Sequence, residues 1–168
     1  WDAHVSHATA LHRAISIGSM PIVERLLRQA NIDVNISCSL GVPLVMAISN
    51  DHTDIADKLL KHPKINCIAA CQSAIRCGSL KTLKFLIENH HITAEALQSN
   101  MPFHPLVNAE IPNEKRRAIF NYLVEQGCQV NTKDEQGNTV LHLSIGKKCD
   151  QVLDLVLGQN VDFEAVNS

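Results

Sequence analysis

Apolar pairs one helical turn apart recur along the whole chain. Ile22-Val23 is followed by Leu26-Leu27, Ile55-Ala56 by Leu59-Leu60, and Leu83 by Leu86-Ile87. Ile119-Phe120 with Leu123-Val124 and Val152-Leu153 with Val156-Leu157 complete the series. Spacings of three and four residues put each set on one face of a helix. Each such helix is preceded by another, built around Leu11, Leu44, Cys71, Leu106 or Leu141. The chain therefore reads as a series of helix pairs separated by polar turns.

The pairs are periodic. Equivalent starts of the first helix fall at 9, 42, 69, 104 and 139, giving intervals of 33, 27, 35 and 35 residues. A periodic chain is one stack, in which each unit buries its apolar face on its neighbours. All 168 residues then form one domain, with units near 4–37, 38–68, 69–98, 99–133 and 134–168. The starts themselves are similar: Thr9-Ala10-Leu11-His12-Arg13-Ala14, Val42-Pro43-Leu44-Val45-Met46-Ala47, Pro105-Leu106-Val107-Asn108-Ala109 and Thr139-Val140-Leu141-His142. The last follows the tight polar turn Asp134-Glu135-Gln136-Gly137-Asn138. These segments resemble the ankyrin repeat, whose signature is T-P-L-H-x-A in a unit of about 33 residues.

The resemblance implies an all-α ankyrin-repeat solenoid of about five helix-turn-helix repeats with short hairpin connections. It implies a concave surface of inner helices and hairpin tips. It also gives the Thr9/His12 and Thr139/His142 pairs a structural role, hydrogen-bonding locally to fix the loop. Residues 33–42 are expected to form the first finger-like hairpin, with Gly41 relieving the turn.

Departures from the pattern are local. The 27-residue interval leaves about six residues of hairpin missing between units two and three, and the helix at 69–77 has lost the signature start. Thr93 to Leu97 is expected to add a short helical turn before unit four. Two extra residues fall within Glu110 to Glu114, with Pro112 as a breaker. The charge run Glu114-Lys115-Arg116-Arg117 reads as a solvated helix face. A start at Trp1 rather than Met suggests a piece of a longer protein, with Trp1 and Val5 covering the edge of unit one. The last helix, with Leu153, Leu155, Val156 and Leu157, carries few charges for a terminal repeat, so further repeats or another domain are expected beyond Ser168.

Composition changes little in this picture. The chain is 45% apolar but only 4% aromatic, which suits closely packed helices with aliphatic cores. A net charge of -2 offers no overall attraction for nucleic acid or an anionic membrane. No apolar run approaches the roughly 20 residues of a membrane span. The six cysteines, Cys38, Cys67, Cys71, Cys77, Cys128 and Cys149, form no C-x-x-C motif and are scattered over different units. They read as free thiols of the core or surface, with no metal and no cofactor expected. Unbridged thiols point to a reducing, cytoplasmic setting.

His52 lies between Asp51 and Asp54, and His90-His91 and His104 are also available. A hydrolase would need a nucleophile within hydrogen-bond reach of such a base, and no matching Cys or Ser motif accompanies them. The chain is therefore read as a non-enzymatic protein-binding module, expected to be a monomer that binds another protein. Matched to the family, its contact positions are Ser39, Leu40, Arg76, Asn100, Met101, Phe103, Glu135, Gln136 and Lys147. Phe103 has a second reading, as a residue packed under its own loop. The alternative function is a targeting or regulatory arm of a larger enzyme or bacterial effector, without a binding site of its own. The irregular repeats are similar to ankyrin segments in effectors of intracellular bacteria, which would place the chain in host cytoplasm.

Overall fold

The computed structural model describes residues 8–90 and 92–167, so Trp1 and Val5 lie outside the described residues. Among the described residues ten helices follow one another as five pairs. They are α1 (Ala10–Ser16) with α2 (Met20–Leu27), α3 (Pro43–Ser49) with α4 (Thr53–Leu60), and α5 (Cys67–Cys77) with α6 (Leu80–His90). After the short α7 (Ala94–Gln98) come α8 (His104–Val107) with α9 (Asn113–Glu125), then α10 (Val140–Gly146) with α11 (Asp150–Leu157). Within each two-helix unit the first helix packs on the next unit's first helix, in the order α1, α3, α5, α8, α10. The second helices form an outer layer, with α2 against α4, α6 against α9 and α9 against α11. Among the described residues the only ladder pairing is an isolated bridge, Cys38 with Gly41.

The repeated apolar positions make the core. Leu11, Leu44, Cys71 and Leu106 are fully buried at one equivalent position, as are Ile55, Leu59, Leu83, Leu86 and Leu123 on the outer helices. Burying one such Leu or Ile side chain contributes about 1.5–3 kcal/mol, and each is shared between neighbouring units.

The turns follow from their residues. Gly18 takes φ 67° at the end of α1, and a Cβ there would come within 2.9 Å of the His52 ring. A side chain at 18 would thus be strained and would displace the ring from its seat. Asp51, beside it, pairs with Lys81, and an Asp54 carboxylate oxygen accepts from the Ile55 N–H at 2.9 Å. Both carboxylates are engaged away from His52, and the acid–base arrangement suggested by the sequence does not form. Thr93 caps α7, its hydroxyl accepting from the Ala96 N–H at 3.2 Å. Pro112 sits just before α9.

One expectation needs correcting. The run Glu114 to Arg117 is not wholly solvated, because Arg116 is only 6% exposed. Its guanidinium donates to the Leu106 carbonyl at 3.3 Å, the Ala109 carbonyl at 2.6 Å and Asn113 Oδ1 at 2.8 Å. The inner helix α8 has one turn, so carbonyls at its end have no further turn to bond them. Arg116 supplies the donors instead. The two extra residues in the α8–α9 link make room for this clamp.

Candidate functional site

The site is built from side chains that tie each unit to the next. In unit one the Thr9 N–H donates to His12 Nδ1 at 3.1 Å, and the Thr9 hydroxyl lies 2.9 Å from the same nitrogen. A backbone N–H can only donate, so Nδ1 is the acceptor and Nε2 carries the proton. Nε2 then donates to the Gly41 carbonyl in the next finger at 3.2 Å. Burial, the largest influence, lowers the His12 pKa against the raising effect of that bond, so the ring stays neutral. His142 repeats the box with Thr139, at 2.9 Å from the hydroxyl.

The position after the core residue carries this link elsewhere too. In unit three it is Gln72, whose amide donates to the Asn100 carbonyl at 3.0 Å. In unit four it is Val107, and the link comes from His104 to the Asn138 carbonyl at 3.2 Å. In unit two it is Val45, 1% exposed. No finger follows unit two: α4 ends at Leu60 and α5 starts at Cys67, capped by Asn66 Oδ1 on the Ala69 N–H at 2.9 Å.

A second row of amides runs along the finger bases. Asn35 donates to the Lys64 carbonyl at 2.7 Å and accepts from the Asn66 N–H at 2.9 Å. Gln98 bridges both backbone groups of Gln129 at 3.1 and 2.6 Å. Asn131 joins Asn160 and Asp162 at 3.1 and 3.0 Å. Asn66, at the gap, caps its own helix instead.

The gap opens a groove of about 830 Å³. One wall is the tip of the 33–42 finger, with Cys38, Ser39 and Leu40; the other is the α8–α9 link, with Asn108, Glu110 and Ile111. Met46, Ser49, Arg76, Cys77, Leu80 and Lys81 form its floor, and Lys115 stands at the far side. Gly41 adopts φ 104°, and a Cβ there would lie 3.0 Å from Ser73 Oγ and 3.2 Å from Cys77 Sγ. The finger base is thus pressed directly on α5. Ser73 fixes it, accepting from the Val42 N–H at 3.1 Å, and Arg76 reaches across to donate to Ser37 Oγ at 3.2 Å.

Of the residues expected from the sequence, Ser39, Leu40 and Arg76 share this groove. Asn100 and Met101 lie in the link before α8, where the Asn100 amide donates to the Ala96 carbonyl at 2.9 Å and Met101 takes φ 51°. Phe103 is 1% exposed, its ring 5.0 Å from that of Phe120. It takes the packing role of its two readings. Glu135 and Gln136 are exposed on the turn before α10, and Lys147 caps the end of that helix. Sequence reasoning missed Gln72, Ser73 and the Glu110–Ile111 wall. The polar residue following the core position was the available signal for Gln72.

The thiols bear on chemistry. All six cysteines are free. Burial pushes the Cys71 thiol up to about 12 and the Cys128 thiol up to about 11. At pH 8 a thiol of pKa 12 is ionised in roughly one molecule in ten thousand, and the thiolate is the reactive form. Cys71 and Cys128 are therefore expected to resist Ellman's reagent at pH 8 in the folded protein and to react at once in urea. Fast labelling of Cys71 without denaturant would mean that α5 opens readily. No group of three or more His, Cys, Asp or Glu side chains that could hold a metal occurs among the described residues.

Residues 2–70 match the family model described as ankyrin repeats, in three copies. That match ends at residue 70, and stacked helix pairs continue through the remaining units. It is similar to the phosphocholine transferase AnkX of Legionella pneumophila, 27% identical over 164 residues, covering 88% of this chain and 16% of AnkX. It is also similar to an ankyrin repeat protein of Rickettsia bellii, 26% identical over 162 residues, covering 84% of this chain and 44% of that protein. The chain thus spans under half the length of these two bacterial relatives. Among solved structures it resembles the ankyrin repeat protein EF0377, with TM-score 0.46 and 16% identity over 90% of this chain and 98% of the other. Ankyrin repeats are in general protein–protein interaction modules, and no helix among the described residues is long and apolar enough to cross a membrane.

Proposed function

We propose that this chain is a protein-binding module whose contact surface is the groove between the 33–42 finger and the α8–α9 link. The observation that carries this reading is the missing finger between units two and three. Its absence leaves Ser39, Leu40 and Arg76, 37 residues apart in sequence at the extremes, around one open concavity. Leu40 is 50% exposed at its edge, and Arg76 is of a residue type that often dominates interface energies. Asn100 and Met101 lie on the next link along and extend the surface. Glu135, Gln136 and Lys147 belong to unit five and form a separate, more polar area. The reading needs no chemistry from this chain, and its thiols and imidazoles serve packing and turn geometry.

A second reading draws on AnkX, most of whose length lies outside the match, which covers 16% of it. In that reading the repeats are a targeting or regulatory arm of a larger bacterial effector acting in host cytoplasm. The two separate in one experiment. The chain is used to capture partners from host-cell lysate, and the captured protein is then titrated against wild type and an Arg76→Glu, Leu40→Ser variant. Affinity is expected to fall at least ~30-fold, about 2 kcal/mol, with an unchanged melting temperature. Retained affinity in the folded variant would move the surface to another face. Failure to capture any partner would favour the arm.

A further inference from the structure

We infer that the groove takes an extended acidic peptide segment carrying one apolar side chain. This rests on the protein-binding reading and specifies its ligand. The groove concentrates positive charge in a chain whose net charge is -2: Arg76, Lys81 and Lys115 line it, against one carboxylate, Glu110. The three cations differ in their engagement. Lys81 is paired with Asp51. Arg76 holds only the exposed hydroxyl of Ser37, at 3.2 Å. Lys115 makes no ion pair among the described residues. A carboxylate offered to Arg76 replaces a neutral acceptor with a charged one, and such charge-assisted, bidentate bonds are roughly twice as strong. Releasing Ser37 costs little, because both groups are in water.

The shape indicates an extended chain. Packed helices lie about 8–10 Å apart, so the groove from α3 across α5 to α8 runs about 20 Å. That is the length of roughly six residues in a strand. The segment would occupy the slot of the absent finger, between the 33–42 hairpin and the α8–α9 link. Leu40, Leu80 and Ile111 give it an apolar contact, with Leu40 the most exposed of the three. A nucleic acid fits less well. No aromatic side chain lines the groove to stack a base, and Glu110 repels an uninterrupted polyanion.

The test uses the whole chain and four fluorescein-labelled probes. They are a ten-residue Asp/Glu peptide with a central Leu, the same peptide with Ser for Leu, a Lys-for-Glu version, and a ten-nucleotide oligo-dT. Fluorescence anisotropy is expected to show the acidic Leu peptide binding most tightly and weakening several-fold from 50 to 300 mM salt. Arg76→Gln with Lys115→Gln should weaken it at least ~10-fold, while Arg28→Gln on the outer layer leaves it unchanged. Leu40→Ser should affect the Leu peptide and spare the Ser peptide. Equal or tighter binding of the basic peptide or of oligo-dT overturns the inference, as does no binding of the acidic peptide at 1 mM. If a captured partner depends on Arg76 but binds through a segment without acidic residues, this inference fails while the protein-binding reading stands.

Discussion

Arg116→Ala is expected to lower the unfolding free energy by about 3 kcal/mol in a urea titration. The side chain is buried and donates to two carbonyls and one side-chain oxygen around the end of α8. Hydrogen bonds from a charged donor contribute about 1.5–3 kcal/mol each, and carbonyls left without a donor add a desolvation cost. Water re-entering the α8–α9 link offsets much of this, which sets the expected value well below the sum of the three bonds. Arg116→Lys should recover less than half, because one ammonium cannot reproduce a planar fork reaching three acceptors. Arg117→Ala, its exposed neighbour, should change stability by less than ~0.5 kcal/mol. A loss below ~1 kcal/mol for Arg116→Ala would show that the link does not depend on the clamp.

Phe103→Ala is expected to cost about 3–5 kcal/mol, the range for emptying a buried aromatic site. The ring is 1% exposed and tilted by 52° against Phe120 at 5.0 Å, a geometry that adds about 0.5–1.5 kcal/mol beyond buried area. Phe103 connects the link before α8 to the outer helix α9, so its loss loosens both walls of unit four at once. Phe103→Leu should cost less than half as much, since it keeps most of the apolar volume. The same urea titration gives both numbers. A cost under ~1 kcal/mol for the alanine variant would mean that the ring contributes little to packing.

The helix pairs were legible because an apolar residue every three or four positions repeats five times, and packing adds nothing to contradict it. The missing finger was legible as well, as an interval of 27 residues where the others are 33 and 35. Arg116 was not read correctly, because its neighbours Glu114, Lys115 and Arg117 are all exposed. Its register held the correct answer. Arg116 precedes Ile119 and Phe120 by three and four residues and Leu123 by seven, so it lies on the buried face of α9. A charge on that face needs acceptors, and these come from α8, whose single turn could not be foreseen from the pattern. The groove was half legible. Ser39, Leu40 and Arg76 follow from repeat register, but the opposite wall arises from an insertion whose path depends on the Arg116 clamp. The role of Asn66 was also hidden, since an Asn after a helix serves equally to bridge to the next unit or to cap the one that follows.

The 33–42 finger is held from both sides by single side chains. In unit one a hairpin is met by the ring of His12, a geometry shared with the repeat signature. Beside the gap the same finger is held by two side chains of a helix, Ser73 on the Val42 N–H and Arg76 on Ser37. Each of these contacts, the His12 ring on the Gly41 carbonyl included, comes from one side chain, so a single codon can alter it. The edge of the proposed contact surface is thus set by three side chains that can be exchanged one at a time, with the helix stack on either side left in place.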